Sequence, residues 1–144
     1  MRRLAGTVWA LWAAISEPRH LKAAYFLIYV LTSTVGVVTL MWPPRTIEGP
    51  LGSVATALWA GLFIAGGLVG AATVLPGWWW VERVLGIGLI LIGLAIYLAV
   101  AITLHWQQVG GSRLTQVGVL VLAACPFLLR GLLIREYSYE PRRG

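Results

Sequence analysis

The sequence predicts an all-α membrane protein, with four transmembrane helices in an antiparallel bundle and a short N-terminal amphipathic interfacial helix before them. Of its 144 residues, 59% are hydrophobic and 11% are charged, whereas a soluble domain carries about 25% charged residues. Four long apolar runs each have the length that crosses a hydrocarbon core. Tryptophan and arginine gather between these runs, as is typical of the boundary between lipid and water.

Residues 1–22 are predicted to form a cytoplasmic amphipathic helix and a linker. The apolar residues at its start repeat at helical spacing, which places them on one face: Leu4, Val8, Leu11, Trp12 and Ile15. This pattern favours a helix that lies in the interface, held by Trp9, Trp12 and the Arg2-Arg3 pair. The alternative is a cleaved signal peptide, because Arg2-Arg3 precedes a short apolar core.

The transmembrane domain is predicted to cover residues 23–134, with spans at about 23–42, 51–75, 84–104 and 114–134. Pro43-Pro44 ends the first span, and Pro76-Gly77 ends the second. Pro126 lies inside the fourth span and predicts a kink, because proline removes a helix hydrogen bond. Arg130 lies near the end of that span, where its long stem would reach the headgroups. Residues 135–144 are predicted to be a short polar cytoplasmic tail.

The centre of the chain, Pro76–Arg83, is predicted to be the turn between the two halves of the bundle. Its three consecutive tryptophans favour the interface, and Glu82 and Arg83 are expected on its water side. All five glutamates are expected outside the spans, so no charge is predicted deep in the membrane. The predicted interfacial anchors are Trp9, Trp12, Trp42, Trp78, Trp79, Trp80 and Trp106.

The distribution of Lys and Arg predicts the orientation of the bundle. With four spans, nine of the 11 basic residues fall on one side, and only Arg45 and Arg113 fall on the other. Because basic residues are enriched on the cytoplasmic side, both termini are expected in the cytoplasm and the chain in the inner membrane. The net charge of +6 is therefore explained by membrane orientation, and no nucleic-acid partner is predicted.

Small and polar residues recur at helical spacing on three of the spans. Such faces let helix backbones approach closely and let hydroxyls find partners. The first-span face could be a packing seam within one protomer, or a face that lines water when copies assemble. The glycine faces favour contact between spans two and three, with a homo-oligomer contact as the alternative. The candidate residues are Tyr25, Tyr29, Thr32, Gly36, Thr39, Gly61, Gly66, Gly70, Gly86 and Gly93.

No catalytic, cofactor-binding or metal-binding residue is predicted. One cysteine and two histidines give neither a disulfide framework nor a metal-ligand cluster. Acid–base catalysis would need a carboxylate or histidine with a perturbed environment, and no span is expected to carry one. Cys125 is interpreted as a packed small residue, with a lipid-modified or redox-active thiol as the alternative. The expected partners are the lipid bilayer and either further copies of the chain or another membrane protein.

Several stretches resemble a group of small four-span membrane proteins encoded by bacteriophages of actinobacteria. They cover most of the chain: Leu21–Tyr29, Trp42-Pro43-Pro44 with Thr46–Gly49, Val74–Arg83, Gly111–Leu114 and Ile134–Pro141. Some small multi-span phage proteins are assigned as holins, which assemble in the inner membrane and permeabilise it. The resemblance therefore implies a non-enzymatic, holin-like protein. The alternative is an accessory or exclusion protein that binds another membrane protein.

Overall fold

A computed structural model describes residues 19–43, 45–107 and 113–139 of the chain. The described part consists of helices and connecting turns, without strands. The predicted amphipathic helix falls on residues 1–22, of which residues 1–18 lie outside the described residues. Its two tryptophan anchors, Trp9 and Trp12, therefore lie outside them too.

Four helices form the bundle, and each is long and apolar enough to cross a membrane. They are α1 (Arg19–Met41), α2 (Arg45–Val74), α3 (Trp79–Trp106) and α4 (Leu114–Tyr139). The helices pack against each other, so the predicted fold class is confirmed. Neighbours along the chain run antiparallel because the connections between them are short. The membrane-spanning parts are Arg19–Met41, Gly52–Val74, Trp79–Trp106 and Leu114–Arg135.

Two glycines with positive φ mark the changes of direction around α2. Gly52, at φ 79° and ψ 164°, interrupts the helix and separates its first turns from the spanning part. Gly77, at φ 80°, lies in the turn between α2 and α3, where the backbone N–H groups of Gly77 and Trp78 both donate to Thr73 O. A side chain would strain either conformation. The predicted Pro76-Gly77 turn is therefore present, and glycine is what permits its geometry.

Helix α3 begins at Trp79, five residues before the predicted start of the third span, and contains a π-helical segment at Glu82–Ile87. Glu82, Gly86 and Ile87 are buried in that segment, and Ile90 is buried after it. In a regular α-helix, Glu82 and Ile90 would be about 80° out of phase, because eight residues exceed two turns of 3.6. The wider π turns bring both residues onto one buried face.

Close contact between α2 and α3 depends on glycine, as the sequence pattern predicts. A side-chain Cβ at Gly66 would lie 2.8 Å from Ile90 Cγ1 and 3.0 Å from Gly86 O. A Cβ at Gly86 would lie 3.0 Å from Gly70 Cα. Gly61 is different, because nothing lies within 4 Å of its Cβ position. Gly61 therefore takes no part in this close approach.

The lipid-facing surface of the bundle is apolar, and most of the tryptophans of the described spans lie at its ends. Trp42, Trp78, Trp80 and Trp106 are exposed, and Trp79 is half-buried. Trp59 lies inside the bundle instead, where its indole N–H donates to Gly93 O at 2.8 Å. Its ring also packs against Phe63 and Tyr97, with centroid distances of 5.0 and 5.1 Å.

Candidate functional site

The most unusual feature of the bundle is an ion pair between Glu82 of α3 and Arg130 of α4. Arg130 Nε lies 2.7 Å from Glu82 Oε1, and Arg130 Nη2 lies 3.0 Å from Oε2. The side chains are 6% and 0% exposed, respectively. Two parallel N–H···O bonds make this the bidentate arrangement that guanidinium and carboxylate groups favour. Both charges are therefore taken out of contact with the bilayer.

Two tyrosines of α1 complete this site, which we call the ion-pair cluster (Tyr25, Tyr29, Glu82 and Arg130). The Tyr29 hydroxyl donates to Glu82 Oε1 at 3.0 Å, and Tyr29 is fully buried. The Tyr25 hydroxyl donates to the carbonyl oxygen of Pro126 at 3.1 Å. The Arg130 guanidinium lies 5.0 Å from the centroid of the Tyr25 ring, within the range of a cation–π contact. The cluster thus joins α1, α3 and α4.

The ion-pair cluster lies close to one end of the bundle. Glu82 is three residues from the start of α3, and Arg130 is five residues from the end of the fourth span. At 1.5 Å per residue, these offsets are about 4.5 and 7.5 Å along the helix axes. The charges therefore lie about one turn inside the membrane-spanning part, well short of its middle. We call this end, which carries the 75–78 turn, the tryptophan end.

The expected positions of Glu82 and Arg130 were wrong. Glu82 was expected on the water side of the turn, outside the spans, yet it is fully buried inside the third span. Arg130 was expected to reach outward to the headgroups, yet it points inward to Glu82. Both side chains can be buried because each supplies hydrogen-bond partners to the other. Burial of the pair therefore leaves no unpaired charge in lipid.

A buried lysine lies beside the cluster at the turn between α2 and α3. Lys22 is 3% exposed, and its Nζ lies 3.4 Å from the point where a side chain at Gly77 would begin. The indole nitrogen of Trp79 lies 3.2 Å from the same point. Glycine at position 77 therefore also leaves room for these two nitrogen donors.

The predicted polar face of α1 lies against the other helices of the same protomer. Four of its five residues are buried, and Thr32 is half-buried with its hydroxyl donating to Ile28 O at 2.8 Å. A Cβ at Gly36 would meet Ala60 O at 2.8 Å, so α1 and α2 touch there through backbone atoms. The buried members are Tyr25, Tyr29, Gly36 and Thr39. Of the predicted α3 candidates, Gly86 and Gly93 are buried as well.

A second polar cluster lies toward the opposite end of the bundle. The Gln116 amide donates to the Tyr97 hydroxyl, and Arg113 Nη1 donates to Gln116 Oε1 at 3.4 Å. The backbone N–H of Arg113 donates to His105 Nδ1 at 3.4 Å. These contacts fasten α4 to α3 near the 107–113 connection. Polar contacts therefore hold α4 at both ends.

Comparison with protein-family models, curated proteins and solved structures gave no match.

The ion-pair cluster is a set of polar groups that satisfy one another's hydrogen bonds. Among the described residues, no buried side-chain nitrogen or oxygen lacks a hydrogen-bond partner. The same residues contain no group of three His, Cys, Asp or Glu that could hold a metal ion. Glu82 accepts hydrogen bonds from Arg130 and Tyr29, so both of its carboxylate oxygens have donors. Neutralising or moving any one of these groups leaves the others unsatisfied in a low-dielectric surrounding.

Sequence reasoning missed three of the residues that matter here. Glu82 was misplaced because Arg83, its neighbour, indicated a hydrated turn. Arg130 was assigned to the headgroups because it lies near a helix end. No role was predicted for Trp59, although its position away from the ends of its span is consistent with an interior side chain. The available signal was the pair of opposite charges, each close to the same predicted end of the bundle.

Replacing Tyr29 by phenylalanine is expected to lower the free energy of unfolding by about 1.5–3 kcal/mol, because a hydrogen bond to a charged group is lost. Tyr25→Phe is the matched control: its hydroxyl donates to a neutral carbonyl, so a loss of about 0.5–1.5 kcal/mol is expected. Unfolding in mixed detergent micelles would measure both. A larger effect at Tyr25 than at Tyr29 would contradict this ranking.

Proposed function

We propose that this chain is a holin-like, non-enzymatic membrane protein that assembles in the membrane and permeabilises it. The bundle described above would be the closed protomer. The observation that supports this proposal is the ion-pair cluster, which places two paired charges and two tyrosines inside a mainly apolar bundle. Ionisable residues inside membrane spans usually mark functional positions.

A bundle that stays closed can be stable without a buried ion pair. A buried ion pair is often replaced by apolar side chains of similar size at no cost in stability, because desolvation offsets much of the charge attraction. A bundle that only spans the membrane therefore gains little stability from the Glu82–Arg130 pair. A bundle that opens would use them, because separation of α4 from α1 and α3 would bring the cluster to water. Copies assembled around such faces would line a hydrated path.

The resemblance to small phage membrane proteins and the composition of the chain agree with this proposal. The described exterior is apolar, with large hydrophobic side chains exposed on every helix. Four spans account for most of the 144 residues, so most of this chain could act within the bilayer.

We propose further that the tryptophan end faces the cytoplasm of a cell whose inner membrane holds the protein. Under the predicted four-span topology, nine of the 11 basic residues would fall on this side, and positive residues favour the cytoplasmic side. In a Cys125→Ala background, single cysteines at positions 45 and 113 are expected to react with a membrane-impermeant maleimide added to intact cells. A cysteine at position 83 is the control, and labelling there instead would reverse the orientation.

A second candidate is an accessory or exclusion protein that binds another membrane protein. The observation that favours it is the burial of the polar face of α1 within a single protomer. A face already satisfied inside one copy does not require other copies to pair with it. In this case the ion-pair cluster would serve to fix one packing of the helices, and the exposed apolar surface would carry the partner contact.

Controlled expression separates these two functions. Induction of the wild-type chain is expected to stop growth abruptly and to collapse the membrane potential, as reported by a voltage-sensitive dye. The Glu82→Leu/Arg130→Met variant is the matched control: it keeps an apolar, packed interior but lacks the charges that would line water. It is expected to accumulate in the membrane without collapsing the potential.

If cells retain their potential while wild-type protein is abundant in the membrane, the permeabilising function is refuted and the accessory function is favoured. If the double variant permeabilises as fast as wild type, the ion-pair cluster has no part in opening. Membrane fractionation and immunoblotting would measure protein abundance in each culture, so poor expression would not be mistaken for lost activity.

A further inference from the structure

Helices α1, α2 and α3 are held together by close contacts between backbone atoms. A Cβ at Gly67 of α2 would lie 2.6 Å from the carbonyl oxygen of Tyr29 on α1. The contact between α2 and α3 is similar, because a Cβ at Gly66 would lie 3.0 Å from Gly86 O. Small residues are what permit helices to approach this closely in a membrane. The first three helices therefore form one tightly packed unit.

Helix α4 is attached to this unit in a different way. A Cβ at either of its glycines, Gly118 or Gly131, would meet no atom within 4 Å. Four of its described side chains are buried: Leu120, Phe127, Arg130 and Ile134. Three of these recur every seven residues, which makes a narrow seam along one side of the helix. Interlocking side chains and a few polar contacts therefore hold α4 in place.

The polar contacts of α4 restrict where this helix can bind. Apolar side chains gain little by leaving lipid for another helix, because lipid tails are as apolar as leucine. Arg130, in contrast, needs a carboxylate inside the membrane, and Glu82 needs a cation. Release of α4 would leave a lone guanidinium on α4 and a lone carboxylate on α3. The surface that restores the same two hydrogen bonds to both groups is the α4 site of a second copy.

We propose that α4 exchanges between copies when the chain assembles, so that Arg130 of one copy pairs with Glu82 of a second copy. This inference rests on the proposed assembly of copies in the membrane, and it names the contact that joins them. The exchanged helix makes the contacts of the closed protomer, including the hydrogen bond from the Tyr25 hydroxyl to Pro126 O. Exchange of an identical element is a low-cost route to dimers.

The connection between α3 and α4 has the length that this exchange needs. Gln107 and Arg113 are six residues apart, and six extended residues span up to about 20 Å. Packed helices lie about 8–10 Å apart, so α4 can reach a helix one or two positions away. The tightly packed unit of α1, α2 and α3 therefore stays intact when α4 moves.

Cross-linking between differently tagged copies would test the exchange while the ion pair is intact. In a Cys125→Ala background, one copy carries Tyr97→Cys and the other carries Gln116→Cys, because these side chains meet across α3 and α4. Coexpression and a short bismaleimide linker are expected to give a dimer that carries both tags. A single chain with both substitutions is the positive control for the reach of the linker.

A matched control pairs the Tyr97→Cys copy with a Leu122→Cys copy. Leu122 lies on the same helix as Gln116 but is 71% exposed, so it faces away from α3. This pair is expected to give several-fold less of the dimer that carries both tags. The comparison separates exchange of α4 from random encounters between copies in the membrane.

Charge complementation gives a second measurement. Copies with Arg130→Met and copies with Glu82→Leu each retain one unpaired charge when expressed alone. Exchange between them forms one ion pair and one apolar pair. Purification through one tag is expected to recover the other variant more than about tenfold better than a differently tagged copy of the same variant, because a buried charge regains its partner.

The outcomes separate this inference from the proposed function. If wild-type copies copurify but Tyr97→Cys and Gln116→Cys copies give no more mixed dimer than the Leu122→Cys control, exchange is refuted and assembly stands. Equal recovery of mixed and same-variant pairs in the complementation would also overturn the inference, since the ion pair would then not join the copies. A voltage-sensitive dye in the same cultures reports permeabilisation independently. A strong mixed dimer in cells that retain their potential would refute the holin-like function and support the exchange.

Discussion

Replacing Arg130 by methionine, with Glu82 left in place, is expected to lower the free energy of unfolding by about 3–5 kcal/mol, because a buried carboxylate loses its cation. Glu82→Leu alone should have an effect of similar size, since the guanidinium is then buried without an anion. The reason lies in the geometry: the pair has two hydrogen bonds of 2.7 and 3.0 Å and is almost completely excluded from solvent. Unfolding of the purified protein in detergent would measure the loss.

The double variant Glu82→Leu/Arg130→Met is expected to recover most of this stability. Apolar side chains of similar volume need no desolvation, so the interior can pack without an unsatisfied group. Arg83→Gln is the matched control for a charge next to Glu82 in sequence, and as an exposed substitution it should change stability by no more than about 0.5 kcal/mol. A double variant as unstable as either single one would show that the ion pair itself stabilises the bundle.

Replacing Gly66 by leucine is expected to destabilise the bundle by about 1–3 kcal/mol or more, because the added side chain cannot be accommodated. Its first carbon would lie 3.0 Å from the carbonyl oxygen of Gly86 and 3.1 Å from the backbone nitrogen of Ile90. Backbone atoms cannot rotate away as a side chain can, so α2 and α3 would have to separate. Gly70→Leu should destabilise the bundle for a different reason, since its side chain would meet the fully buried ring of Tyr29 on α1.

Gly61→Leu is the control on the same helix, because no atom lies within 4 Å of its Cβ position. It is expected to change stability little, since its side chain would extend into the bilayer. Gly118→Leu on α4 offers a second control with the same open surroundings. Equal destabilisation by Gly61→Leu and Gly66→Leu would show that the close contact between α2 and α3 does not set the packing.

The spans could be predicted because their signal is local: each is a long apolar run bounded by turn residues and tryptophan. The face of α1 could be predicted for the same reason, since Tyr25, Tyr29, Gly36 and Thr39 repeat at helical spacing. Its two interpretations could not be separated in this way, because spacing shows which residues share a face but not what covers it. The structure places that face inside one protomer.

The ion-pair cluster could not be predicted by the same reasoning. Glu82 and Arg130 are 48 residues apart in sequence, so no local pattern joins them. The π-helical segment at Glu82–Ile87 adds a further obstacle, because regular helical periodicity turns Glu82 away from the face that holds Ile90. Trp59 is a second case, because nothing in the local sequence predicts that its indole hydrogen-bonds to Gly93 O inside the bundle.

The placement of the two charges on different helices has a consequence for biosynthesis. Glu82 enters the membrane with α3, whereas its cation arrives with α4, after the 107–113 connection has been made. A lone charge raises the free energy of inserting a helix, although near the end of a span the cost is below the ~2.5–3.5 kcal/mol of an arginine at the bilayer centre. The lowest-cost route is entry of α3 and α4 together as a hairpin, with the ion pair already formed. We therefore expect the last two helices to insert as a unit, and a chain truncated before α4 to leave the Glu82 carboxylate without its cation.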